Sequence, residues 1–497
     1  MKILFKGVGQ INRMTDQTFH FNGSVGIERH GSTSQFLSDK KPYSVEIRDL
    51  AGQDSAVALL GLPKESDWVL VAPYSDKSLM RDAMIYQLAG SMMAWAPRTR
   101  FCEVVLNGDY LGVYVLTEKI KRDKNRVNIT KSDLTATMGD ALTGGYILKI
   151  DKSTGNLTGF STGFSSVYSN LASNPNNKTF FQYEYPSLDD IKPAHKTYIQ
   201  TAVGDMERAM SLGQPSFSDP SVGYPKYWDV ASLVDFFIVN ELARNVDGYR
   251  LSTYFYKDKN SLDAKFKMGP VWDFNIGLGN ADYCSGGNTS GWAVDFNTVC
   301  PGDNWGIPFW WRNLMADANF KKQIKARWIQ LRTNQLSNVR VNGMIDSMSA
   351  VVNEAQVRNF KKWPILGRYI WPNAFIGSTY GSEVSYLKGW LTNRIIWIDG
   401  QIALFPTGQK EVLEKAIVYP NPSVSGFSFD YVLRSPQEVK LLIYNDLGQL
   451  VFQKIEQQTT GNQQSFWHDK KAASGLYFYE IQADGVRRMV GKVLKGD

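Results

Sequence analysis

Two acids set the chemistry to look for, Asp247 and Asp273, 26 residues apart in the stretch DFFIVNELARNVDGYRLSTYFYKDKNSLDAKFKMGPVWDFNIGLGN (residues 235–280). The pattern predicts an apolar helix from Asp235 to Leu242 and a polar turn carrying Asp247. A strand from Leu251 to Tyr256, a loop and a second strand running into Val271, Trp272 and Asp273 follow. A hairpin-like excursion between the acids can bring them close together in space. An acid at a strand end, followed by Gly277 and Gly279, can face a metal-bound phosphate without side-chain obstruction.

The elements that must position such a pair are read from the rest of the chain. Its 497 residues suggest two or three domains. With 43% hydrophobic and 21% charged residues the chain is ordinary for a globular protein, while 13% aromatic residues lean towards an extracellular or surface protein. A net charge of +7 is spread along the chain rather than gathered into a basic run, so a nucleic-acid partner is not expected. No stretch of 18 apolar residues occurs, so no transmembrane segment is expected.

Of the three cysteines, Cys102 lies in an apolar strand and reads as a buried thiol. Cys284 and Cys300 flank a loop rich in Gly, Asn and Ser. A disulfide between them would contribute about 3 kcal/mol in an oxidising compartment. No Cys/His spacing suggests a zinc centre.

Residues 1–50 read as strands and turns. A strand ending in Arg29 leads into a small hydroxyl-rich loop with Ser32 and Ser34, and then to Lys40 and Lys41, groups that can reach phosphate oxygens. A helix expected from about Ser75 or Asp76 buries Met80, Ala83, Met84 and Leu88, and spacing leaves open whether Arg81 and Asp82 are exposed or face a cleft. Strands from Phe101 to Leu106 and from Val113 to Thr117 flank an Asn107-Gly108 turn and lead to Glu118 and Lys119. The strand GGYILKID ends in Asp151, an acid costly to bury without a partner. Ser153 to Asn177 reads as an excursion from the core. Helices are expected over 187–212, 227–242, 319–335, 342–358 and 382–404.

These segments carry a resemblance. GIERHGSTSQFLSDKKPYSVEIRD, DWVLVAPYSDKSLMRDAMIYQLA, CEVVLNGDYLGVYVLTEKIKRDKNRVNI, GGYILKID, NELARNVDGYRLSTYFYKD and MGPVWDFNIGLGNADYC occur in the order found in the CotH kinase family of secreted or spore-coat proteins. The resemblance implies an α+β, atypical protein-kinase-like fold over 1–404, with a β-rich lobe to about 150 and a mainly helical lobe from about 185. It implies ATP with Mg²⁺ or Mn²⁺ as cofactors and a protein substrate. Asp247 would be the catalytic base, with Asp273, Ser252 and Asn275 as metal ligands. Arg29, Ser32, Ser34, Lys41, Glu118, Lys119 and Asp151 would be nucleotide contacts.

The chain departs from the family pattern in three places. His30 stands between Arg29 and the glycine of the loop, Ser252 replaces an Asn, and Asn275 replaces an Asp. The last two weaken the metal ligand set, which keeps a nucleotide-binding pseudokinase in view. A second class of reading is a cell-surface binding or adhesion protein that engages a glycan or host protein through residues 284–305. Arg250 or Lys267 blocking the cleft would favour it.

After a linker at 405–415, residues 416–497 alternate short strands and turns. VYPNPS, YNDLGQLV, SGLYFYEI and GKVLKGD resemble the C-terminal sorting domain of type IX secretion, a small β-sandwich. This implies handling by the type IX machinery and a secreted or cell-surface location. A leader is expected to precede the sequence, since MKILFKGVGQINRM does not read as one.

Overall fold

The computed structural model describes residues 1–31, 36–152, 163–406, 417–433, 436–483 and 486–496. The chain divides into two compact units, Met1–Pro406 and Thr407–Asp497. Of the expected linker, 407–415 lies outside the described residues, as do Ser32 and Ser34 of the hydroxyl-rich loop.

In the first unit a short pair, β1 (Lys2–Ile3) and β2 (Phe21–Asn22), precedes an antiparallel sheet of β3 (Ser24–Arg29), β4 (Tyr43–Arg48), β5 (Asp67–Val71), β6 (Thr99–Leu106) and β7 (Asp109–Glu118). The strand order is β3-β4-β5-β7-β6. Alternation along β7 explains its two faces. Tyr114 and Leu116 join Val45, Ile47, Trp68 and Leu70 in one core, and Val113 and Val115 turn to the main core. Against that second face lies α1 (Arg81–Gly90), whose Met84, Ile85 and Leu88 are buried. This helix starts later than expected, yet Asp76 still accepts the Arg81 backbone N–H at 2.8 Å.

A second sheet, ordered β12-β11-β8-β10-β9, contains β8 (Tyr146–Ile150), β9 (Gly163–Leu171), β10 (Asn174–Tyr185), β11 (Thr253–Lys257) and β12 (Phe266–Met268). Residues 163–177, expected as an excursion, instead belong to the β9–β10 hairpin. Alternation is masked there by Ser and Asn, several of which are buried and bonded, as with Asn170 and Asn177. The residues of the excursion from 153 to 162 lie outside the described set.

One face of this sheet packs on α3 (Val230–Ala243), which follows α2 (Pro193–Met210). Asp229 caps α3 by accepting the Ser232 N–H, and every side chain from Leu233 to Ala243 is buried, so this apolar helix is the spine of the unit. Around it are α4 (Phe309–Ala316), α5 (Ala318–Arg332), α6 (Asn338–Val351), α7 (Asn353–Lys362) and α8 (Tyr380–Ala403). The single helix expected over 342–358 is two, broken at Val352.

The second unit is a sandwich. A three-stranded sheet of β13 (Ile417–Tyr419), β14 (Phe427–Leu433) and β17 (Gly461–Trp467) faces a four-stranded sheet of β15 (Gln437–Tyr444), β16 (Leu450–Gln458), β18 (Gly475–Ala483) and β19 (Val486–Lys495). Phe427, Phe429, Trp467, Ile443, Tyr479 and Ile481 from both sheets share one core. Among the described residues no helix is long and apolar enough to cross a membrane.

Candidate functional site

The residues after α3 turn sharply because Arg244 ends the helix in the left-handed region (φ 43°). Asn245 then links the two acid loops. Its side-chain oxygen accepts the Asp247 N–H at 3.2 Å, and its amide donates to the Asp273 carbonyl at 3.1 Å. Tyr249, Ser252, Asp273 and Leu278 also have positive φ (70°, 47°, 64° and 51°). A gathering of left-handed, non-glycine residues in two adjoining loops is the kind of strain that a binding or catalytic site retains. Val271 to Asp273, expected as strand, lies beyond the end of β12.

The Asp273 loop is clamped from α1. Asp82 accepts the Phe274 N–H at 2.6 Å, and the Tyr86 hydroxyl accepts the Asp273 N–H at 3.0 Å. Arg81 is buried on Asp76 and reaches the Leu278 carbonyl at 3.4 Å. Thus the Arg81–Asp82 pair, undecided from spacing, faces inward. The glycines of this loop serve packing rather than an open approach for a ligand. A Cβ on Gly279 would lie 2.4 Å from Trp390, and one on Gly277 would lie 3.2 Å from the Ala243 carbonyl.

The Asp247 loop is clamped from the other side. Arg250 is almost wholly buried and lies 3.9 Å from the Phe296 ring centre. It donates to Asp247 Oδ1 at 2.7 Å, to Asp303 Oδ1 and the Trp305 carbonyl at 3.0 Å each, and to the Val246 carbonyl at 2.9 Å. Cys284 and Cys300 are disulfide-bonded, with Cα atoms 5.6 Å apart. Their loop is tied down by Arg244 on the Ser285 carbonyl and by Arg394 on the Thr289 and Gly291 carbonyls. The disulfide sits between Tyr283, within the field of both acids, and Asp303, the partner of Arg250. Lys267, the other suspected obstruction, pairs with Asp263 at 2.8 Å.

The acids differ in electrostatics. Asp247 is raised from the ordinary carboxylate range by burial, opposed by Arg250 and Lys152, and keeps 23% of its side chain in solvent. Asp273 is pushed up to about 8, by burial first and then by Asp82, Asp247 and Asp151, with Lys152 opposing. Asp82 is pushed up to about 7, again by burial first. The structure therefore brings the carboxyl groups of Asp82, Asp151, Asp247 and Asp273 into one field, with Lys149, Lys152 and Arg250 opposing them. Carboxyl oxygens are the donor type that a hard divalent cation takes. Among the described residues no three His, Cys, Asp or Glu side chains converge to hold a metal on their own. A cation here would draw on neutral oxygens and phosphate as well.

The remaining sequence candidates separate. Lys119 is exposed, and with Lys149 it helps burial push the His30 imidazole down to about 4. Lys149 lies 3.8 Å from Asp151 and 4.0 Å from Glu184, so it stands between the basic group and the acids. Arg29 is exposed at the end of β3, and Lys41 donates to the Ser38 carbonyl at 2.5 Å. Lys40 does not face phosphates. Its ammonium is buried, donating to the Val113 carbonyl and to Asn359 Oδ1 (2.9 Å), and burial lowers it to about 7. Glu118 is buried under Arg98, which holds both carboxylate oxygens at 2.7 and 2.8 Å, so its carboxylate is engaged within the protein. Ser252 and Asn275 flank the acids in their loops and are half-buried. Sequence reasoning left Asp82 undecided and missed Lys149, Lys152 and Tyr283. Of these, Lys149 was signalled by period-two alternation, which puts it on the same face of its strand as Asp151.

Residues 27–398 match the model of a family described as CotH kinase protein. The chain belongs to this family. Residues 417–495 match a secretion system C-terminal sorting domain, the type IX signal, which assigns the CotH protein to secretion or the cell surface through the type IX machinery. No curated protein matches the chain. Among solved structures, the Pseudomonas fluorescens alkylpurine DNA glycosylase AlkC bound to DNA containing an abasic site analog shares 12% identity at a TM-score of 0.15, over 37% of the CotH protein and 54% of its own chain. That likeness carries no argument. In the CotH domain, Asn245, Asp247 and Asp273 form the bonded centre of the site, and the kinase-like character of the family is the frame in which they are read.

Proposed function

We propose that the CotH domain is a secreted, metal-dependent protein kinase that transfers the γ-phosphoryl group of ATP to a Ser or Thr hydroxyl of a protein. The observation that carries this reading is the Asn245 bridge, which fixes a partly exposed acid, Asp247, against a loop whose acid, Asp273, has no cation bonded to it among the described residues. The first sheet with α1 is then the smaller lobe, and the second sheet with α2 to α8 the larger.

Phosphoryl transfer asks chiefly for positioning and charge neutralisation. Asp247 accepts the proton of the substrate hydroxyl while its oxygen bonds to the γ-phosphorus. The bond to the bridging oxygen breaks, and ADP leaves with that electron pair. Arg250 opposes the rise that burial gives Asp247 and aims it through one oxygen, leaving the other for the hydroxyl. Lys149 and Lys119, with Arg29 at the rim, would hold the phosphates. Asp273, the Asn275 amide oxygen and the Ser252 hydroxyl would hold Mg²⁺ or Mn²⁺, which when bound offsets charge on the phosphate oxygens.

The test is transfer of labelled γ-phosphate from ATP by the whole chain with Mg²⁺ or Mn²⁺, beside Asp247→Asn and Asp273→Asn. Metal-dependent labelling lost in both variants supports the kinase. Metal-dependent nucleotide binding without transfer supports a pseudokinase, the second reading, which the Arg250–Asp247 pair and the neutral Ser252 and Asn275 favour. Absence of both ends the nucleotide reading.

A further inference from the structure

A cavity of about 700 Å³ opens between α1, the start of β6 and α6, apart from the acid loops. Arg98, Arg100 and Arg340 line it, and no Asp or Glu does. Their guanidinium groups are held in place by internal bonds. Arg98 rests on Glu118, Arg100 on the Leu60 and Thr99 carbonyls at 2.9 and 2.8 Å, and Arg340 on Asn334 at 3.0 Å. Each keeps N–H donors with no acceptor among the described residues: Nη1 of Arg98, Nη2 of Arg100, and Nε and Nη2 of Arg340. Leu88, Met344 and Met348 supply an apolar floor between them.

Fixed, forked donors around a flexible apolar floor suit a chain that carries anionic groups on either side of an apolar side chain. The volume is that of a several-residue ligand rather than a lone anion. We propose that this groove docks an acidic segment of a protein partner, its anions being Asp and Glu carboxylates, the group that Arg98 already holds in Glu118. The groove also reaches the site. Tyr86 lines it and, through its hydroxyl, accepts the Asp273 N–H at 3.0 Å. Tyr86 itself is buried, so a bound segment lies against α1, the helix whose Tyr86 holds the Asp273 loop. Any effect on transfer rests on the kinase reading; the binding does not.

The test uses the full chain and fluorescence anisotropy with three labelled peptides built around Leu, flanked by Asp and Glu, by phosphoserine, or by Asn and Gln, and with a sulfated oligosaccharide as competitor. Arg100 and Arg340 are exposed and outside the catalytic machinery, so Arg100→Gln/Arg340→Gln is expected to fold. We expect the Asp and Glu peptide to bind, the neutral one not to, and the double variant to weaken binding by about 10-fold or more, the loss expected for charge-assisted bonds. Binding of the phosphoserine peptide alone overturns the assignment to carboxylates. Ser347→Glu, which puts an acid into the groove, should weaken binding as well. Equal binding of the neutral peptide, unchanged affinity in both variants, or binding of the oligosaccharide alone overturns the proposal. If transfer is observed, a substrate bearing the bound peptide should show a KM raised by the double variant at unchanged kcat. If no transfer occurs, the anisotropy result still decides.

Discussion

The two acid loops adjoin and share Asn245, yet they are stabilised in opposite ways. Asp247 is matched at once by a buried cation, Arg250, two of whose other bonds run to the segment beyond the disulfide. Asp273 lies among other acids, opposed by Lys152, and against neutral groups, the Tyr86 hydroxyl and the backbone it orders, and its carboxyl rises to about 8. The difference teaches that proximity does not equalise roles. A carboxyl held by a fixed cationic partner is suited to receive a substrate's proton, whereas one crowded by other acids is suited to a cation that arrives with the ligand.

The largest effects should separate these roles. Asp247→Asn and Asp273→Asn are each expected to lower transfer by about 10³-fold or more. Only Asp273→Asn should also abolish metal-dependent nucleotide binding, measured by calorimetry. Loss of that binding in both would erase the distinction.

Next in size is the clamp on Asp247. Cys284→Ser/Cys300→Ser opens a loop of sequence separation 16 and should lower stability by about 3 kcal/mol, read as a fall in Tm. Transfer should fall with it, while metal affinity at Asp273 changes little. Asn245→Ala removes both bridging bonds and should lower stability by about 1–3 kcal/mol and kcat more than KM for ATP.

A pH titration sharpens the comparison further. Asp82 and Asp273 are raised to about 7 and about 8, whereas an unfolded chain releases such protons near 4. Between these limits the folded protein binds more protons, so the stability of the metal-free protein should fall as pH rises from about 4 to about 8 and then level off. Mg²⁺ or Mn²⁺ should flatten the decline and release protons on binding, both visible in Tm profiles with and without chelator. The smallest effect is expected for Lys149→Met, about 10-fold weaker nucleotide binding with a folded, metal-competent site.

Much of this was legible in the sequence because it is local. The turn at Asp247, the hairpin behind it and the flanking cysteines lie within one continuous stretch, and the sorting domain follows as a block of its own. The clamp on Asp273 was not legible. Asp82 meets Phe274 across 192 residues, and an acid on an apolar helix reads the same whether it faces solvent or a loop. Lys40 and Lys41 show a similar ambiguity. Adjacent lysines point opposite ways from extended backbone, and only the arrival of Asn359 from α7 decides which one is buried. Gly277 and Gly279 suggested space for a ligand, yet they make room for α3 and for Trp390.

The Cys284–Cys300 bond has a consequence in time. A cytoplasm keeps thiols reduced, so the loop carrying Tyr283, and with it the support that Asp303 gives Arg250, closes only once the chain has left the cell interior. An activity that depends on this site would be latent in the cytoplasm and matured by the chain's destination.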